Sequence, residues 1–245
     1  MTSVKLQKFM AETGLCSRRE AENRIREGRV EVDGETATIG DRIDPDAARV
    51  RVDGRILRPR QQAHRTLVVN KPRRCVCTHR DPHAERTVFD LVPPSLRDDR
   101  LLCAGRLDKD SEGLVVLSTD GDLVQQLAHP TGRIVKRYRV RVQRPLEEGD
   151  IPKLLRGRTV EGDWLQFDRV VLLPSNSHPG CELEVHLSHG RKREIRRLLQ
   201  SFGYLVKRLE RFQIGGYRLR GLARGQVRPL RGPEIKRLLA PPRSS

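Results

Sequence analysis

Residues 105–117 read GRLDKDSEGLVVL, a short glycine-bounded loop that carries five charged side chains. Apolar runs flank this loop, at 101–104 before it and at 114–117 after it. Runs of this length, rich in Leu and Val and separated by turn residues, predict two buried strands. A charged loop held between rigid strands is a usual place for chemistry, whereas an isolated loop of the same composition is more often a solvated turn. The surrounding sequence decides between these interpretations.

The charge of the chain is concentrated at one end. The 245 residues are 36% hydrophobic and carry a formal net charge of +17. Residues 186–245 contain 16 Lys or Arg against 3 Asp or Glu, whereas residues 1–60 contain 13 against 11. Such a local excess of positive charge predicts a polyanionic partner.

The cysteines and the apolar runs exclude several classes of protein. Cys16, Cys75, Cys77, Cys103 and Cys181 form no Cys-x-x-Cys pair, so neither a zinc site nor a disulfide framework is predicted. No apolar run is long enough for a signal peptide or a membrane span. We therefore expect a soluble, cytoplasmic protein with no membrane partner.

The first sixty residues predict a small domain of two helices and short strands. Apolar residues at 6, 9 and 10 have helical spacing, and Ser17 with Glu20 has the capping-box form that opens a second helix. Asp33-Gly34 and Asp53-Gly54 predict hairpin turns. Over 4–57 the chain resembles the S4 RNA-binding module, most clearly at LQKFMAETGLCSRREAENRIREGRVEVDG (6–34).

The S4 resemblance implies that this domain binds RNA, and a solvated charged face is the alternative. The basic residues expected to contact RNA are Lys5, Arg18, Arg19 and Arg24.

The remainder predicts a second domain with a mainly antiparallel sheet. Period-two alternation predicts strands at 137–142 and 181–187. A capping side chain at Thr119 or Asp120 predicts a helix that ends near His129. We therefore expect an α+β fold, with a mixed sheet and flanking helices. The predicted domains are an S4-like domain at 1–60, a catalytic domain at 61–239 and a disordered tail at 240–245.

Two metal-dependent interpretations of the charged loop are weak. Asp108, Asp110, Glu112 and Gly113 match the start of a calcium loop, but Thr119 stands where a bidentate Glu is needed. A two-metal nuclease would have basic side chains among its acidic ligands, which oppose a divalent ion. A single catalytic carboxylate surrounded by other charges is the third interpretation, and no metal site is predicted.

Four stretches of the second domain resemble the motifs of the S4-containing pseudouridine synthases that act on ribosomal RNA. They are NKPRRCVCTHRDPHAERTVFDLVP (70–93), GRLDKDSEGLVVLSTDGDLVQQLAHP (105–130), KRYRVRV (136–142) and HLSHGRKREIRRLLQSFGYLVKRLERFQIGG (186–216). They occur in the family's order and, with the S4 module, cover nearly the whole chain. The resemblance implies an isomerisation that detaches uracil from its ribose and rejoins it through carbon 5, without a cofactor.

The resemblance also implies roles for individual residues. Asp108 matches the essential aspartate, and Arg106 is expected to keep it ionised. Tyr138 matches the tyrosine that holds the extruded base, and Leu187 matches the apolar wall of the base pocket. A basic residue of the last motif reaches the aspartate in the family, and either Arg208 or Lys207 could be that residue.

A helix predicted from Arg191 presents a basic face that is expected to be free for RNA phosphates, with a solvated face as the alternative. Its basic residues are Arg191, Lys192, Arg193, Arg196 and Arg197.

The sequence leaves the substrate and the activity open. The expected partner is ribosomal RNA, with 23S favoured weakly over 16S, and a monomer is expected. A noncatalytic RNA-binding protein for ribosome assembly, with the same fold, is the main alternative. Arg73-Arg74 and His189 depart from the residues that are frequent in the family, although neither replaces a residue that the chemistry requires.

Overall fold

In the computed structural model the chain divides into two compact units, Met1–Ala63 and His64–Ser245. The structure describes residues 3–58, 63–79, 81–82, 84–98 and 100–242. The predicted domain boundary between 60 and 61 therefore falls outside the described residues, as do positions 243–245 of the predicted disordered tail. Ala240, which the structure describes, accepts a hydrogen bond from Gly216 N at 2.9 Å.

The first unit has a helix pair and short antiparallel strands, as predicted. Its elements are β1 (Val4–Lys5), α1 (Leu6–Glu12), α2 (Arg18–Arg26), β2 (Val30–Val32), β3 (Glu35–Thr36), β4 (Arg42–Ile43), β5 (Val50–Val52) and β6 (Arg55–Ile56). Ser17 caps α2 by accepting a hydrogen bond from Glu20 N. The predicted turns are confirmed, because Asp33-Gly34 and Asp53-Gly54 adopt positive φ between paired strands.

The second unit is built on one mixed sheet. Its strands are β7 (Thr66–Lys71), β8 (Leu102–Ala104), β9 (Glu112–Ser118), β10 (Lys136–Val142), β11 (Arg158–Val160), β12 (Asp163–Leu165), β13 (Arg169–Leu172), β14 (Glu182–Leu187), β15 (Val206–Ile214), β16 (Tyr217–Arg218) and β17 (Val227–Pro229). The large sheet has the order β13-β14-β10-β15-β9-β7-β17, and β11 pairs with β12 in a separate hairpin. Its pairs are antiparallel except for β15 with β9, which confirms the α+β prediction.

Four helices flank the sheet of the second unit: α3 (Gly121–Ala128), α4 (Ile151–Arg156), α5 (Glu194–Ser201) and α6 (Gly232–Leu239). Asp120 caps α3 by accepting hydrogen bonds from Asp122 N and Leu123 N. One apolar core contains Tyr138 and Leu187, and a second contains residues of α3 and α6. Among the described residues, no helix is long and apolar enough to cross a membrane.

The prediction that the basic helix begins at Arg191 is wrong. Helix α5 begins at Glu194. Arg193 has a left-handed backbone conformation (φ 51°), so the helix does not extend to the residues before Glu194. The Glu194 carboxylate turns back and accepts a hydrogen bond from Arg191 N at 2.9 Å. Arg191, Lys192 and Arg193 therefore lie in the loop before the helix.

Candidate active site

The charged loop runs from 105 to 111 and lies between β8 and β9. Strand β9 begins earlier than the apolar pattern predicts, at Glu112, because its first residues pair with β15. This pairing requires glycine at 113, where a Cβ atom would lie 2.3 Å from Arg211 O. The loop is therefore fixed at its end by a close approach of two backbones.

Asp108 is half-buried in this loop, and its side chain is unengaged. Its carbonyl accepts a hydrogen bond from Ser111 N at 3.0 Å, which closes a turn around 108–111. Within the described part of the chain, the Asp108 carboxylate forms no hydrogen bond or ion pair. Lys71 and Arg196 both interact with it electrostatically. A carboxylate that is fixed through its backbone and free at its side chain is available to a substrate.

Lys71, at the end of β7, binds the backbone of the charged loop through its side-chain amine. It is 0% exposed, and its Nζ donates hydrogen bonds to Ser111 O (2.6 Å), Pro72 O (3.0 Å) and Lys109 O (3.5 Å). Burial lowers the pKa of Lys71, while the charges of nearby thiols and of Asp108 act in the opposite direction. The amine therefore binds loop carbonyls on both sides of Asp110.

Arg211, on β15, joins the two ends of the loop. Its guanidinium is buried and donates to Leu114 O (2.8 Å) and to Gly105 O (3.0 Å). In sequence Arg211 looks like an extension of the C-terminal basic surface. The structure instead makes it an internal brace, since both of its acceptors are backbone carbonyls of the loop and its flanking strand.

Two cysteines support the loop from its start. Cys77 Sγ accepts a hydrogen bond from Leu107 N at 3.4 Å, and Cys103 Sγ donates to Gly105 O at 3.8 Å. These two thiols therefore fix the backbone next to Asp108. The positions of the cysteines in the sequence do not predict this role.

The expected ion pairs of Asp108 are not formed. Arg106 is exposed and lies beyond ion-pair distance of Asp108. Arg208 instead pairs with Glu112 (2.5 Å) and Glu210 (3.0 Å), and Lys207 is exposed without an ion pair among the described residues. Neither Arg208 nor Lys207 forms an ion pair with Asp108 among the described residues, and a role of either residue toward Asp108 stays a prediction.

Tyr138 and Leu187 lie in one apolar core with Leu107, the residue before Asp108. In the register of β10 with β14, Tyr138 faces Val185 and Lys136 faces Leu187. In the register of β10 with β15, Tyr138 faces Arg211. The structure thus brings Tyr138 and Leu187 to the part of the sheet that supports the loop, while their contact with a base stays a prediction.

Lys136 is a buried amine that the sequence analysis missed. The strict alternation of β10 places it two residues from Tyr138, and its side chain is buried. Its side-chain amine forms no hydrogen bond or ion pair with any described residue. Burial, and secondarily the charge of Arg211, lowers the pKa of Lys136 from 10.5 to about 8.

We expect Lys136→Met to stabilise the protein at neutral pH. Below pH 8 the wild type keeps a buried, unpaired charge, and between pH 8 and 10.5 the unfolded chain binds more protons than the folded protein. Wild-type stability therefore rises across this window, and the variant lacks that rise. The expected gain is about 3 kcal/mol at pH 7 and falls toward zero at pH 10.5. Urea unfolding measures it, with exposed Lys207→Met as control; an equal gain at both pH values would contradict this account.

The sequence predicts that the basic side chains around α5 are all free to bind RNA phosphates, but in the structure several of them have partners within the protein. Arg197 binds Asp163 (2.8 Å) and Glu161 (2.9 Å), and Arg191 binds Asp163 (3.0 Å). Arg196 donates to Val206 O and to Asp110 O, both at 3.2 Å, and burial lowers its pKa. Among the described residues, only the side chains of Lys192 and Arg193 in this set are exposed without hydrogen bonds or ion pairs.

The basic residues of the first unit lie on its surface. Lys5, Arg18 and Arg19 are exposed, and their side chains form no ion pairs within the described ranges. Arg24 pairs with Glu20 at 2.8 Å and with Asp53 at 3.7 Å. Three of the four predicted RNA contacts are therefore available for a polyanion, and their role stays a prediction.

Comparison with known proteins agrees with this arrangement. A family model described as RNA pseudouridylate synthase matches residues 65–201, and an S4 domain model matches residues 4–48. The chain belongs to the RNA pseudouridylate synthase family and carries an S4 domain. A solved structure titled as a pseudouridylate synthase is 27% identical, covers 96% of this chain and 99% of its own, and has a TM-score of 0.67.

Several curated relatives are named ribosomal large subunit pseudouridine synthase B. The protein from Salmonella typhi is 38% identical over 228 residues, which are 91% of this chain and 78% of that protein. The protein from Vibrio cholerae is 39% identical over 216 residues, 87% of this chain and 67% of that protein. The Pseudomonas aeruginosa protein is 39% identical, and the match spans 86% of this chain and 55% of that protein.

Proposed function

We propose that this chain isomerises a specific uridine of large-subunit 23S ribosomal RNA to pseudouridine, with Asp108 as the catalytic residue. The observation that carries the proposal is the unengaged Asp108 carboxylate on a loop that Lys71 and Arg211 fix through its backbone. Family membership and the names of the relatives support the reaction and the large subunit.

The reaction needs few groups. The bond between N1 of uracil and C1′ of ribose breaks, a bond from C5 to C1′ forms, the proton of C5 leaves, and N1 gains a proton. The carboxylate of Asp108 would either attack the ribose–base unit or remove a proton from it, and both roles require the ionised form. Tyr138 and Leu187 would hold the base once it has left its stack. Lys71 and Arg211 act as positioning residues, since they bind backbone carbonyls of the loop and of strand β9.

An rRNA modification assay tests the proposal. The protein is incubated in EDTA with unmodified 23S and 16S transcripts, and pseudouridine is mapped by carbodiimide treatment and primer extension. The expected result is one new stop in 23S rRNA. A stop only in 16S rRNA would overturn the choice of subunit. Binding of rRNA without any stop would favour the noncatalytic assembly protein, and loss of activity in EDTA would favour a metal-dependent enzyme.

The proposal also covers the oligomeric state and the cellular location of the protein. A monomer is supported by the fact that Asp108, Tyr138, Lys71 and Arg211 come from a single compact unit. A cytoplasmic location is proposed because the substrate, ribosomal RNA, is there. Gel filtration combined with light scattering tests the first property, and a mass of twice 28.0 kDa would contradict it.

We expect Lys192→Gln with Arg193→Gln to flatten the salt dependence of RNA binding. These exposed cations lack partners among the described side chains, so they are free to displace counterions from phosphates. Loss of two contacts should reduce the slope of log K against log salt by about 1.5. The control is Arg139→Gln with Arg218→Gln, an equal charge change around the Phe212 ring. Equal slopes in both double variants would show that the 192–193 cations are only solvated.

A further inference from the structure

Trp164 is the single tryptophan of the chain and lies on the β11–β12 hairpin. Its side chain is 52% exposed, whereas Leu165 beside it is fully buried. An exposed indole offers a large, flat apolar surface to a partner. The feature is unusual in a chain with only 4% aromatic residues.

The indole is held in place by its own hairpin. Its Nε1 donates to Gln166 Oε1 at 3.2 Å, so the polar atom of the ring is already satisfied. Glycine at 157 makes room for this arrangement, because a Cβ atom there would lie 3.2 Å from Trp164 Nε1 and 2.6 Å from Leu165 O. What remains exposed is apolar ring surface that loses little conformational freedom on binding.

The hairpin's own acids are neutralised. Asp163 binds both Arg191 and Arg197, and Glu161 binds Arg197. Residues 156–166 and 191–197 together contain seven Lys or Arg against three Asp or Glu. A polyanion is therefore the partner whose charge complements this surface.

Helix α5 connects the hairpin to the loop that carries Asp108. Two consecutive residues of this helix contact the loop and the hairpin. Arg196 donates a hydrogen bond to Asp110 O in the loop, and Arg197 donates one to Val160 O in the hairpin at 2.6 Å. The hairpin and the loop that carries Asp108 therefore contact neighbouring residues of one helix.

We propose that Trp164 is a stacking platform for an unpaired base of the RNA, a few nucleotides from the target uridine. The inference rests on the proposed function, because it requires RNA at the loop. Stacking on an indole accepts any base, so the platform would add affinity and fix the strand's path without reading its sequence. The basic side chains around it would bind the adjacent phosphates.

The sole tryptophan makes a direct test possible with the full-length protein. Its fluorescence is followed during titration with a single-stranded 12-nucleotide oligouridine, and affinity for labelled 23S transcript is measured by filter binding. We expect quenching by the oligonucleotide. Trp164→Ala should weaken binding roughly 5- to 100-fold, and Trp164→Phe should restore most of the loss. Leu239→Ala removes an apolar side chain that is 37% exposed on α6, and is the matched control.

The kinetic signature separates a platform from a structural residue. Trp164→Ala should raise KM for 23S rRNA while kcat at saturating RNA and the slope of the salt dependence stay near wild type. Unquenched fluorescence at saturation, or wild-type affinity of Trp164→Ala, would overturn the platform. If wild type forms no pseudouridine on any rRNA, the proposed function fails, whereas the quenching and affinity data still decide whether bases stack on Trp164.

Discussion

Asp108→Asn is expected to abolish pseudouridine formation while leaving the protein folded and able to bind rRNA. The amide has nearly the shape of the carboxylate, but it can neither attack as a nucleophile nor accept a proton as a base. The native carboxylate forms no hydrogen bond or ion pair among the described residues, so its loss breaks no structural contact. We expect turnover to fall by at least roughly a thousandfold. Single-turnover release of tritium from uracil C5 measures the effect.

Asp110→Asn is the matched control for this variant. Asp110 lies two residues away in the same loop and is exposed, and Arg196 contacts it through its backbone carbonyl, which the substitution keeps. Activity within a few-fold of wild type is expected, so equal losses in both variants would mean that loop charge, rather than one carboxylate, carries the reaction.

Local patterns predicted much of this fold from the sequence. Ser17 and Asp120 cap helices as expected, because a capping side chain and the amides it accepts from lie within three residues. Strand β10 follows its alternation, since one face is buried in the core. The family motifs led to Asp108, Tyr138 and Leu187, and the structure places their elements around one part of the sheet.

The residues that fix the Asp108 loop and its surroundings could not be predicted from local sequence patterns. Lys71 and Arg211 bind backbone carbonyls, and a carbonyl has no side-chain signature in the sequence. The pair between Arg197 and Asp163 joins residues 34 positions apart, so the arginine looked free when only its helix was considered. The helix start at Glu194 depends on the left-handed backbone of Arg193, a conformation that arginine rarely adopts.

Lys71→Met is expected to damage both stability and turnover, in contrast to Lys136→Met. Both lysines are buried and have lowered pKa values. Lys71 Nζ donates to three carbonyls, whereas Lys136 Nζ has no hydrogen-bond partner among the described residues. Methionine at 71 leaves the Ser111 carbonyl without this donor, whereas Lys109 O keeps its hydrogen bond from Arg74 N at 2.8 Å. An unsatisfied buried acceptor costs about 1–3 kcal/mol, so we expect a loss of about 2 kcal/mol in the free energy of unfolding.

The same change should loosen the backbone on both sides of Asp110 and so displace Asp108. A misplacement of about 1 Å costs roughly a hundredfold in rate, and we expect kcat to fall by about that factor. Urea unfolding followed by Trp164 fluorescence reports on the second unit, and tritium release reports on turnover. Exposed Lys109→Met, in the same loop, is the control and should preserve stability. If Lys71→Met were as stable as wild type yet inactive, Lys71 would act on the substrate and not through the loop carbonyls.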